Sequence, residues 1–100
     1  MKVENIESNN GNKIANQFVI TDVYGNKYFQ SYNSIIAVKY NSKYPNPIGL
    51  DQKYWNYSNT TGKYRNIFLG ETITETKKKI KSGEYILIDL NKWKVRNNGK

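Results

Sequence analysis

Asp22 and the triplet Asp51-Gln52-Lys53 are the residues best spaced for catalysis in this chain of 100 residues. An upstream aspartate with a later acid-x-Lys is the wording of a magnesium-dependent nuclease, in which carboxylates grip the hard cation through oxygen. A chain with fourteen lysines produces such triplets readily, and Asp51 follows an irregular stretch, so turn and surface roles compete for the same residues. Little other chemistry is available. The absence of His removes the commonest general base and metal ligand, and the absence of Cys removes thiolate nucleophiles and sulfur clusters. The seven glycines are scattered singly, so there is no phosphate loop of the Walker or dinucleotide type. Serine is never followed three residues later by lysine, and no spacing among the eight acids favours a glycosidase pair. The inventory favours recognition over catalysis, with no cofactor and no metal.

Three stretches could carry recognition. Lys77, Lys78, Lys79 and Lys81 cluster in a short helical segment and could meet phosphates; the alternative is a solvated face that complements the helix dipole. Lys92, Trp93, Lys94 and Arg96 set an indole among cations, which suits base stacking with phosphate contact, although Trp93 could equally plug the core. From Tyr54 to Arg65 the chain holds Trp55, Tyr57, Lys63, Tyr64 and Arg65 among Ser, Asn and Thr, the composition of interface hot spots. There Tyr64 reads as core, and Trp55 as either core or contact.

The elements that must position these residues follow from periodicity. Gln17 to Thr21 alternates as a strand, and Asp22-Val23-Tyr24-Gly25 is a type I turn with glycine in the left-handed position. The hairpin so defined sets Ile20 opposite Tyr28 and Val19 opposite Phe29. A third strand covers Ile35 to Tyr40, and Ile48-Gly49-Leu50 is a short fourth. Thr60 or Thr61 caps a helix running to Leu69, with Tyr64, Ile67 and Phe68 on its buried face and Gly70 at its end. Thr72 with Glu75 is a capping box opening a second helix to Ser82, closed by Gly83. The apolar run in Tyr85 to Leu90 predicts a central closing strand. Across the turn at residues 70–72 the two helices also have the spacing of a helix-turn-helix, without a third supporting helix.

The class is therefore α+β: a small antiparallel sheet, made of an N-terminal β-hairpin, one or two further strands and a C-terminal strand, with two short helices. Residues 1–13 read as a flexible N-terminal arm or a short edge element, residues 14–91 as the single domain and residues 92–100 as a basic C-terminal tail. The net charge is +8, and residues 63–100 hold ten bases against four acids, so anionic partners are favoured. The first fifteen residues lack the apolar run of a signal peptide or anchor, which points to the cytoplasm of the cell that makes the chain and no membrane. Val19 and the third strand leave room for edge-to-edge pairing, so monomer and homodimer both stay open.

The run Tyr54-Trp55-Asn56-Tyr57-Ser58-Asn59-Thr60-Thr61-Gly62-Lys63-Tyr64-Arg65, continued by Phe68-Leu69-Gly70, resembles a group of small uncharacterised proteins from phages and mobile elements of low-GC bacteria. Glu75-Thr76, Lys79-Ile80 and Gly83-Glu84-Tyr85 fit the same pattern, and the resemblance covers residues 17–91. It implies a setting and carries over no catalytic residues. Small phage proteins without enzyme motifs often inhibit host defences such as CRISPR nucleases, an analogy of size and setting. The expectation is a non-enzymatic accessory protein that binds a host protein or nucleoprotein, possibly with nucleic acid, most concretely an anti-CRISPR-like inhibitor. The alternatives are a general nucleic-acid-binding protein without a host target and the magnesium-dependent nuclease.

Overall fold

The computed structural model describes residues 1–8, 10–41 and 47–92. Its elements follow in the order β1 (Lys2–Glu7), β2 (Lys13–Thr21), β3 (Lys27–Ser31), β4 (Ser34–Lys39), β5 (Ile48–Asp51), α1 (Asn59–Leu69), α2 (Ile73–Ser82) and β6 (Ile86–Ile88). The strands keep that order across a six-stranded sheet, antiparallel throughout except for β5 and β6, which run parallel. Parallel neighbours need a crossover, and α1 with α2 provides it. The α+β class is as the sequence predicts.

The β2–β3 hairpin has the predicted register, Ile20 opposite Tyr28 and Val19 opposite Phe29. Asp22 builds its turn: the carboxylate accepts the backbone N–H groups of Tyr24 and Asn26 at 2.9 and 3.0 Å, the bonding pattern that makes aspartate a turn residue. Gly25 follows at φ 87°, and a Cβ there would lie 2.6 Å from the Asn41 side chain, so both backbone and space demand glycine. Tyr32 links β3 to β4 at φ 55°, an unusual position for a bulky side chain.

Phe29, Ile36, Ala37 and Leu50 from the sheet, with Ile6, Phe68 and Tyr85, form the core. The Phe29 and Phe68 rings stack at 5.8 Å, which docks α1 on this face. Ile80 of α2 packs against the same cluster. On the other face the register aligns Val3, Ile20, Tyr28, Val38, Gly49 and Ile86 in one row across all six strands. Gly49 keeps that row close, because a Cβ would sit 3.1 Å from Ile88 and 3.2 Å from Val38.

Several expectations need correction. Of the two readings of residues 1–13, the structure has the edge element: β1 pairs with β2, and Ile6 buries itself in the core where a flexible arm was the other option. The N-cap of α1 is Ser58, ahead of Thr60 and Thr61, because its hydroxyl accepts the Thr61 N–H at 3.1 Å. Ile67 is 52% exposed, since the buried face of α1 runs through Thr61, Arg65 and Phe68. The closing strand, predicted to be central, covers only Ile86–Ile88 and lies at the sheet edge with β5 as its one strand neighbour among the described residues, while Tyr85 ahead of it turns into the core. Val19 and the third strand offer no free edge, as β2 and β4 each have neighbours on both sides. Among the described residues, no helix is long and apolar enough to cross a membrane.

Candidate functional site

Asp51, at the end of β5, organises the approach to α1. Its Oδ2 accepts the N–H groups of Lys53 and Tyr54 at 3.0 and 2.8 Å, and its Oδ1 accepts that of Leu90 at 2.8 Å. A carboxylate with 1% exposure and three backbone donors holds the 52–54 turn to the chain beyond β6. Asp22 is occupied in the hairpin turn after β2, three strands away and towards the opposite end of the sheet, because β2 and β5 run in opposite directions. The fold therefore does not bring Asp22 to Asp51 and Lys53. Among the described residues, no three acidic side chains gather in a way that could hold a metal ion.

The turn after Asp51 delivers Tyr54, Trp55 and Tyr57 to the start of α1. Tyr54 and Trp55 are half-buried against the core, whereas Tyr57 is 48% exposed and meets the Tyr54 ring edge-on at 5.4 Å. From inside α1, Arg65 reaches back beneath this turn. Its Nη1 donates to the Trp55 carbonyl at 2.8 Å and to Asn56 Oδ1 at 3.0 Å, and its Nη2 donates to Asn66 Oδ1 at 3.0 Å. The guanidinium lies over the Trp55 ring at 5.3 Å. Burial lowers the Arg65 pKa, and the field of Glu71 partly opposes this. Arginine keeps its proton regardless, so the interior holds a charge met by amide and carbonyl oxygens. Among the described residues no carboxylate makes a salt bridge to it, and its Nε has no hydrogen-bond partner.

Arg65, Ser58, Asn59, Gly62 and Lys63 line a cleft of about 420 Å³ at the N-terminal end of α1. The first turn of the helix carries no acid, so the positive end of its dipole is unopposed there. Lys63 stands exposed on the rim, with its Nζ 5.5 Å from the Tyr64 ring.

The capping box opens α2 as predicted, and it leaves Lys77, Lys78 and Lys81 exposed. Lys79 is different. Its Nζ donates to Glu71 Oε1 at 2.7 Å, and Tyr85 Oη and the Thr76 hydroxyl bond to the same carboxylate. Lys79 thus ties α2 to the segment after α1. Lys92 is exposed, and Trp93, Lys94 and Arg96 lie outside the described residues.

Two cations escaped the sequence reading. Lys27 and Lys39 are cross-strand partners in β3 and β4, and Lys39 Nζ lies 4.7 Å from the Phe68 ring. Burial first, and then Lys27, lowers the Lys39 pKa. The only signal for this pair is the β3–β4 register, which depends on a bulge after Phe29.

Residues 1–86 match a family of unknown function, DUF8033, and the chain belongs to that family. No curated protein and no solved structure matches the chain.

Proposed function

Because membership of DUF8033 brings no activity with it, we propose from the surface of the chain itself that it is a non-enzymatic binding protein for a nucleic acid or nucleoprotein. The carrying observation is the pairing state of the cations. Among the described residues, Lys2 and Lys79 are the only cations in salt bridges, which leaves Lys77, Lys78 and Lys81 of α2 available to an outside anion. With a net charge of +8, phosphates are the complementary partner. Tyr57, exposed between Asn56 and Ser58 ahead of α1, supplies aromatic surface of the kind that nucleobases or a protein partner accept, whereas Trp55 is half-buried against the core. Inhibition of a host defence nucleoprotein is the most concrete setting for such a surface, and it rests on the phage-type resemblance of residues 17–91.

Fluorescence anisotropy with mixed-sequence oligonucleotides, single-stranded and duplex, tests the proposal. Affinity should fall steeply between about 50 and 200 mM salt. Replacing Lys77, Lys78 and Lys81 by Gln should reduce the salt slope by about one for each phosphate that is no longer neutralised. No binding at low salt would refute nucleic-acid recognition. Capture of a host nucleoprotein from lysate, resistant to nuclease treatment, would point to its protein component as the binding partner.

A further inference from the structure

We propose that β1 is the docking edge for a second copy of this chain, joined antiparallel about a two-fold axis at Val3. The inference is independent of the nucleic-acid reading and concerns the sheet edge opposite β6.

The sheet order leaves two edge strands among the described residues, β1 and β6. β6 has three residues and β1 has six, so β1 is the longer template. The direction of the β1 backbone follows from the hairpin beside it. Asp22 N–H donates to the Asn26 carbonyl and Tyr32 N–H to that of Asn16, so Phe18 and Ile20, in the same alternation, turn their peptide groups towards β3. Val19 and Thr21 then face β1, where their partners are Glu4 and Lys2. By the same alternation Val3 and Asn5 turn their N–H and C=O groups outward, with no further strand to meet them among the described residues.

Exposed edges commonly carry charges that repel a newcomer, but here the charges are self-complementary. A two-fold axis at Val3 sets Val3 opposite its own copy, Lys2 opposite Glu4 and Glu4 opposite Lys2. Because Val3 faces outward, that pair exchanges both N–H···O bonds, and the Lys2–Glu4 pairs fall at the closer, non-bonded positions. Within the chain the two side chains meet at 3.6 Å while staying 70% and 55% exposed, so ammonium and carboxylate lie together on one face, open to the same pair from a second copy. Val3 is itself 58% exposed and ends the apolar row that crosses the open face, which a second copy would continue. Net charge also selects this edge. The chain carries +8, yet the only charged side chains in residues 1–12 are Lys2, Glu4 and Glu7, so two copies would touch where each is slightly acidic. The same local charge disfavours a phosphate backbone at β1.

Sedimentation equilibrium of the untagged chain, free of nucleic acid, between about 10 μM and 1 mM tests this. The expected result is a concentration-dependent dimer. Amide exchange at Val3 and Asn5 should slow as it forms, while the Lys2 and Glu4 amides, already bonded to β2, stay as they were. Lys2→Glu and Glu4→Lys should each weaken dimerisation by about tenfold or more, because the axis repeats each like-charge contact, and the two changes together should restore it. Val3→Pro removes only an outward N–H, so it should leave the monomer folded by circular dichroism and abolish the dimer. A chain that stays monomeric at about 1 mM would overturn the proposal. So would a dimer indifferent to Val3→Pro, or one that the paired charge exchange fails to restore. Protection of Val3 and Asn5 that appears only when an oligonucleotide is added would overturn it in favour of nucleic acid at this edge.

Discussion

The Lys79 ammonium meets the Glu71 carboxylate at 2.7 Å, and Tyr85 Oη bonds to the same carboxylate oxygen at 2.7 Å. One of four clustered lysines is thereby withdrawn from the surface and made part of the framework. The Glu71 side chain is 4% exposed, so this is an interior cluster reached by a cation from the rim. It joins the segment after α1, the body of α2 and the start of the closing strand.

This cluster should set the pH limits of stability. Burial raises the Glu71 pKa, but hydrogen bonds from Lys79, Thr76 and Tyr85 outweigh it and hold the carboxyl below its ordinary 4.5. Its contribution is therefore present above that value and lost as pH falls through the depressed one. Burial first, and then Glu71, pushes Tyr85 up from 10.0 to about 12, so its contribution is present below the ordinary value and lost as pH rises across that interval. Thermal melts should be flat between the two ordinary values and decline outside them. Glu71→Gln should cost about 1.5–3 kcal/mol at neutral pH and flatten the acid limb.

Arg65 should behave as a structural cation first. Arg65→Ala removes three hydrogen bonds and the stack on Trp55, and should cost about 2–4 kcal/mol in urea unfolding. Arg65→Lys should recover little of this, because an ammonium lacks the planar fork that reaches Trp55, Asn56 and Asn66 together. A neutral outcome for Arg65→Ala would contradict the described geometry.

Asp51→Ala leaves the N–H groups of Lys53, Tyr54 and Leu90 without their acceptor in a buried site. A loss of about 3 kcal/mol or more is expected, with amide exchange accelerating first at these three positions. Any nuclease assay that relies on this variant therefore needs a folding control, and Lys53→Ala is the safer probe.

Tyr32 sits at φ 55° in the link between β3 and β4 and is 51% exposed. Asparagine tolerates the left-handed region better than a bulky ring does, so Tyr32→Asn should raise stability by about 0.5–1 kcal/mol. A lower melting temperature would mean that the ring makes contacts worth more than the strain.

The features that the sequence disclosed are those decided by neighbours along the chain. The hairpin register follows from alternation in Gln17 to Thr21 and from turn chemistry at Asp22 and Gly25. The capping box at Thr72 and Glu75 is equally local. Arg65 is legible as a contact residue but not as a buried one, because its burial depends on the Trp55 carbonyl and on Asn56 and Asn66 reaching the same spot. The true start of α1 stays hidden when the cap is placed at Thr60 or Thr61 instead of Ser58. Likewise, nothing in Tyr85 to Leu90 reveals that its partner is β5 or that the pair is parallel, since pairing between distant segments leaves no periodic trace.

The parallel pairing of Gly49 with Ile86 has a consequence for how the chain reaches its final form. Strands β1 to β5 each pair with the next in line, so they can assemble progressively as the polypeptide emerges from the ribosome. The last clasp is different. Asn91 binds both the N–H and the carbonyl of Ile35, and Leu90 reaches Asp51, so closure waits until residues 86–91 have been made and for a large loop to come home. A stalled or truncated product lacking these residues would expose the flank of β5 to whatever strand it met first.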